Sequence, residues 1–135
     1  MRIGQLAQSV GVDTQTIRFY ERQGLLPPPG RQENSYRVYT EKHVERLAFI
    51  RRCRILDLSL AEIHELKRYQ DDPHQSCTAV NALLDDHISH VRSQITALQA
   101  LEKQLVSLRA RCNDDREVKA CGVLAGISEG SMHQQ

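Results

Sequence analysis

The chain has 135 residues, 40% apolar and 26% charged, a balance that excludes a disordered chain and allows one ordinary domain or two small ones. No apolar run nears the ~20 residues needed to cross a bilayer, and the first ten residues lack the apolar core of a secretory signal. The net charge of +1 hides an asymmetry, since residues 1–70 carry 12 Lys/Arg against 8 Asp/Glu while residues 71–135 carry 6 against 9. A basic front half suits a polyanion-binding module. A cytoplasmic setting is expected, with no membrane partner. The four cysteines would be reduced there, so they read as metal ligands, reactive thiols or core fillers. No nucleophile–base pairing stands on a pocket scaffold, so an enzyme is not expected.

Ile3, Leu6, Ala7 and Val10 fall at helical spacing, and Gly11 breaks the run. Asp13 is placed to cap a second helix that carries Ile17 inward and ends by Gly24. Two short helices around a glycine turn predict a helix-turn-helix. Pro27-Pro28-Pro29-Gly30 can be neither helix nor central strand. Gly30 to Asn34 reads as a polar turn, and Tyr36-Arg37-Val38-Tyr39 alternates as a short strand does. A small β wing fits there.

Thr40 opens a helix over about residues 41–56, with Val44, Leu47, Ile50, Cys53 and Leu56 expected inward. Ser59 and Glu62 form a capping-box pair for a further helix to about Gln70. Asp71-Asp72-Pro73 marks the expected domain boundary.

From Cys77 to Cys112 there is neither Gly nor Pro, and Leu84, Ile88, Val91, Ile95, Leu98, Leu101, Leu105 and Leu108 recur in steps of three and four. That is a heptad seam. About 36 helical residues would span about 54 Å, a rod that a domain this small cannot bury against itself. The spacing predicts a partner helix from a second copy. Asn113 to Lys119 reads as a loop, Cys121 to Ile127 as a short helical turn, and Glu129 to Gln135 as a frayed end. The expected fold is mainly α: a winged helix-turn-helix over 1–72, a long antiparallel coiled-coil dimerisation helix over 73–112, and a metal-binding loop and tail over 113–135.

Two groups of residues carry chemistry. Thr14, Gln15 and Thr16 near a helix N-terminus can reach base edges, while Arg18 and Tyr20 suit phosphates or bases. Arg31, Tyr36, Arg37 and Tyr39 of the wing add cationic and aromatic character, and Arg51, Arg52 and Arg54 add further cationic character. The other group is Cys77, Cys112 and Cys121. Within one chain Cys77 and Cys112 would stand about 52 Å apart by helical rise, so they cannot share an ion. An antiparallel partner brings Cys77 of one copy beside Cys112 of the other, and the following loop can return Cys121 to the same point. Three thiolates suit large soft ions such as lead, cadmium or mercury, whereas zinc usually takes four ligands. The tail carries only His133, whereas His74, His87 and His90 lie nearer the expected site, and one of them could complete the coordination of cadmium. Cys53 reads as a core thiol.

The stretches Ile3-Gly4-Gln5-Leu6-Ala7, Gly11-Val12, Thr16-Ile17-Arg18-Phe19-Tyr20-Glu21, Gly24-Leu25-Leu26 and Tyr36-Arg37-Val38-Tyr39 resemble the N-terminal signature of the MerR family. The likeness runs on through Val44-Glu45-Arg46-Leu47 and Phe49-Ile50-Arg51 to Leu58-Ser59-Leu60-Ala61-Glu62-Ile63. From Asn81 to Ile88 and around Cys121-Gly122-Val123-Leu124 it looks closest to the cadmium- and lead-responsive branch. The resemblance implies a homodimer on promoter DNA that distorts the DNA when a soft divalent metal binds, realigning the promoter for RNA polymerase. It also implies DNA contacts from Arg18, Tyr20, Tyr36, Arg37 and Tyr39. Lead or cadmium is the expected inducer, with zinc or mercury as further candidates. Two other readings remain: a helix-turn-helix regulator sensing redox state or an organic ligand, and a metal-sequestering protein that binds no DNA.

Overall fold

The computed structural model describes residues 1–31 and 37–129. Its order is α1 (Ile3–Val10), α2 (Thr14–Arg22), β1 (Gly30–Arg31), β2 (Arg37–Val38), α3 (Glu41–Ile55), α4 (Leu60–Gln70), α5 (Thr78–Arg109), a single 3-10 turn (Val118–Ala120) and α6 (Gly122–Ser128). Contacts divide the chain into two compact units between Leu83 and Leu84, inside α5. The mainly helical, winged helix-turn-helix expectation holds. Among the described residues, no helix is long and apolar enough to cross a membrane.

The first unit is built by local signals that agree with one another. α1 closes on Gly11, whose φ of 84° is open to glycine at little cost. Asp13 then caps α2, accepting from Thr16 N at 2.7 Å, and this amide holds its carboxyl below the ordinary range. The Ser59 hydroxyl accepts from Glu62 N at 3.1 Å while Glu62 Oε1 accepts from Ser59 N at 2.8 Å, the reciprocal pair expected at the start of α4. Leu6, Ile17, Leu25, Leu26, Leu47, Ile50, Leu58 and Ile63 form the buried core with Tyr20, Tyr39 and Cys53.

α3 begins on a capping pair with histidine in the role that Glu or Gln usually plays. Thr40 N donates to His43 Nδ1 at 3.0 Å, and His43 Nε2 faces Pro28 O at 3.3 Å. An Nδ1 that accepts an amide leaves the proton on Nε2, so the buried ring bonds α3 at one edge and the proline stretch at the other.

Two expectations are corrected. Gly30 and Arg31 do not belong to a turn: they pair antiparallel as β1, Gly30 with Val38 and Arg31 with Arg37. Leu56 does not point inward but is 65% exposed. α3 ends at Ile55, and Asp57 adopts φ 63°. That left-handed residue turns the chain so that Leu58 enters the core instead.

In the second unit α5 presents an open apolar seam. Leu84, Ile88, Ile95, Leu98, Leu101 and Leu105 are all exposed, by 42–63%. Past its end, Asn113 Nδ2 donates to Ala110 O at 2.8 Å and Arg109 Nη1 to Cys112 O at 2.7 Å. These bonds hold the turn that follows α5, between Ala110 and Asn113.

Candidate nucleic-acid interface and metal centre

The recognition helix expected from the sequence is α2. Its N-terminal Thr14 and Thr16 are half-buried, while Gln15, Arg18, Phe19 and Arg22 are exposed. Residues 15, 18, 19 and 22 share one exposed face by helical spacing. Phe19 is 36% exposed. An apolar ring beside Arg18 suits contact with a thymine methyl, a role that the residue list drawn from sequence left out.

Tyr20 and Tyr39 have different surroundings from those expected of DNA contacts. Tyr20 is 8% exposed and Tyr39 1%, so both rings lie in the core. The Tyr39 hydroxyl donates to Glu21 Oε1, and Arg37 Nη1 donates to Glu21 Oε2 at 3.3 Å. Glu21 thereby joins α2 to β2 and the residue that follows it. Burial, then the hydrogen bond and charge of Glu21, push the Tyr39 hydroxyl up to about 12. Tyr36 lies outside the described residues. Of the arginines on α3, Arg54 donates to Leu58 O at 2.6 Å and so holds the turn after the helix, while Arg51 and Arg52 are exposed.

The cysteines fall into two classes. Cys53 is 5% exposed, and burial pushes its thiol above the ordinary range. Cys77, Cys112 and Cys121 all reach solvent in part. Cys77 precedes α5, and its carbonyl accepts from Asn81 N at 2.9 Å. Asn81 Nδ2 stands 3.8 Å from Cys77 Sγ as a donor. The sequence did not single out this donor.

Cys112 and Cys121 come together in the second unit. The Cys121 thiol is held below the ordinary range, first by the backbone amides of Leu124 and Val123, then by the Cys112 thiol and the charge of Arg116. No side-chain capping bond closes at Cys121, so the amides act on it as oriented dipoles. A lowered thiol favours the thiolate, the form that binds metal. Among the described residues no three His, Cys, Asp or Glu side chains gather as a metal site within the single chain. One copy offers a dithiol that fits a soft ion chemically, and Cys77 belongs to the other unit. Among the described residues, none of His74, His87 and His90 gathers with the cysteines as a metal site in the single chain.

Residues 1–70 match the family model described as MerR HTH family regulatory protein, and residues 44–108 match MerR, DNA binding. The lead(II)-bound transcription regulator PbrR691 from Ralstonia metallidurans CH34 is similar at 46% identity and a TM-score of 0.84, over 94% of this chain and 98% of that one. The HTH-type transcriptional regulator ZntR homolog of Haemophilus influenzae is 42% identical over 88% of this chain and 90% of its own length. The mercuric resistance operon regulatory protein of Bacillus cereus is 36% identical over 91% of this chain and 93% of its own. The chain belongs to the MerR family: it is a helix-turn-helix regulator of transcription and not an enzyme.

Proposed function

We propose that this regulator senses a soft divalent metal ion, lead or cadmium ahead of zinc or mercury, and activates a promoter by distorting its DNA. The observation that carries the reading is the Cys112–Cys121 pair, two solvent-reaching thiols of which one is biased toward thiolate. The relatives that bind or respond to lead and mercury support it.

The working protein is a homodimer in the cytoplasm. The exposed seam of α5 pairs antiparallel with that of a second copy, because six large apolar side chains in water would otherwise cost free energy of about 25 cal/mol per Å². Each site then takes Cys77 from one copy and Cys112 with Cys121 from the other. Residues 1–72 hold promoter DNA through Gln15, Arg18 and Phe19, with Thr14, Thr16, Tyr20, Tyr36, Arg37 and Tyr39 supporting or extending that surface. Residues 73–112 make the dimer and 113–135 complete the metal site. A bound ion supplies bonds that favour one arrangement of the two copies, and only such a difference between arrangements can shift the DNA. RNA polymerase already at the promoter benefits from the realignment.

A mixed dimer tests the shared site. One copy carries Cys77→Ser, the other Cys112→Ser, and the pair is isolated with two affinity tags. Sharing places both lesions in one site and leaves the other whole. Titration with lead, followed by thiolate-to-metal absorbance, should find one tight site per mixed dimer and none in either mutant homodimer. Binding no better than in the homodimers would overturn the shared site.

A further inference from the structure

α6 sits on the end of α5 more closely than any side chain would allow. A Cβ on Gly122 would stand 2.1 Å from Arg111 O and 2.9 Å from Arg111 C. One on Gly126 would stand 2.5 Å from Arg111 Nη1 and 2.7 Å from Leu108 Cδ1. The two glycines are four residues apart, so they share a face of α6. The guanidinium of Arg111 then reaches on to Glu129, Nη2 to Oε1 at 3.1 Å. One arginine therefore meets α6 at its first turn with backbone, at its second with side chain, and at its C-cap with an ion pair.

Nothing in α6 itself asks for these glycines. Gly126, inside the helix, costs it about 1 kcal/mol relative to alanine, and seven residues are too few to hold a helix alone in water. Their place is explained by the docking. The docking point is also covalently next to both thiols: Arg111 precedes Cys112, and Gly122 follows Cys121. Wherever the Gly122–Arg111 contact sets the two backbones, it sets the two cysteines.

We propose that Gly122, assisted by Gly126, is a positioning residue for metal capture: it lets α6 close on Arg111 so that Cys121 meets Cys112 before any ion arrives. This rests on the reading of Cys112 and Cys121 as ligands and adds what fixes their spacing. A pair set in advance spares the ion the cost of ordering the loop. A side chain at 122 must push against backbone, which cannot swing aside. One at 126 meets the ends of Arg111 and Leu108, which can. The effect is therefore graded, with position 122 ahead of position 126.

The test uses the full-length dimer with Cys53→Ala and Cys77→Ser, so that Cys112 and Cys121 are the only thiols. In metal-free protein, dibromobimane becomes fluorescent when it bridges two thiols and reads their proximity. Gly122→Ala should slow bridging on the order of tenfold, and Gly126→Ala by about two- to threefold, as pre-organisation is lost. In the otherwise wild-type chain, Gly122→Ala should weaken lead binding on the order of tenfold, read from the thiolate-to-lead absorbance, with helix content and metal-free promoter binding unchanged. Bridging at an unchanged rate in Gly122→Ala would overturn the proposal, as would unchanged lead affinity. Should Gly122→Ala fail to fold, Gly126→Ala decides by the same two readings: slower bridging supports the proposal and unchanged bridging overturns it. A wild-type chain with no thiolate-to-lead band would sink the metal reading instead, while the bridging rates would still judge the positioning.

Discussion

Replacing Tyr39 by phenylalanine removes one oxygen and little else. The ring is 1% exposed and would keep its edge-on contact with His43, centroids 5.1 Å apart. What disappears is the hydroxyl donated to Glu21 Oε1. Glu21 is 12% exposed, and Arg37, itself 39% exposed, lies at 3.3 Å, long for a charge-assisted bond. Arg37 does not make good the loss, and water reaches the carboxylate poorly. A hydrogen bond to a charged group contributes about 1.5–3 kcal/mol, and an abandoned partner adds to the cost. We expect Tyr39→Phe to lose about 2 kcal/mol per subunit in urea denaturation at fixed protein concentration, with the slope unchanged. Glu21→Gln combined with it should be strongly non-additive. The pH dependence has a definite sign. The Tyr39 hydroxyl is raised from 10.0 to about 12, so its contribution is complete below pH 10 and lost as pH rises toward about 12. The stability gap between wild type and Tyr39→Phe should narrow over that window. A loss below about 0.5 kcal/mol, or additive single variants, would refute the claim that Glu21 ties α2 to β2 through this bond.

Asp57→Gly should stabilise the chain by about 0.5 kcal/mol, since relief of the left-handed strain exceeds the entropy glycine adds to the unfolded state; a thermal melt with no gain would mean that Asp57 makes compensating contacts. Cys53→Ala should cost about 1 kcal/mol and keep the full metal response, whereas Cys77→Ser, Cys112→Ser and Cys121→Ser should each abolish induction and leave repression. A promoter assay that finds Cys53→Ala deaf to metal although folded would reverse this division. Arg18→Ala should weaken promoter binding by about 1.5–3 kcal/mol with and without metal, leaving metal affinity unchanged; normal gel shifts in both states would mean that α2 is not the reader.

The parts legible in the sequence are those fixed by neighbours three or four residues away. Asp13 caps Thr16, Ser59 pairs with Glu62, and the leucine seam repeats along α5, so these elements lie where the pattern puts them. Leu56 was misjudged because a periodic pattern cannot tell where a helix stops, and the left-handed turn at Asp57 stops it. Tyr20 and Tyr39 look from sequence like DNA contacts because aromatics beside arginines suit a phosphate surface and a core equally. Tyr39 is 1% exposed, and the partner of its hydroxyl, Glu21, lies 18 residues away. The spacing of Cys112 and Cys121 allowed their meeting. Its cause, two glycines pressed on Arg111, leaves no periodic trace, because a residue without a side chain signals nothing about what it lies against.

Pro27, Pro28 and Pro29 have no amide hydrogens, so the stretch after the recognition helix can accept hydrogen bonds but not donate them. His43 supplies the donor at Pro28 O while its other nitrogen holds Thr40 N. Mechanically this is a strut. The proline segment resists bending by its fixed φ, and the imidazole braces it against the base of α3. Under the proposed reading, in which Arg18 and Phe19 meet a DNA groove, this strut would carry load from the proline stretch into the base of α3.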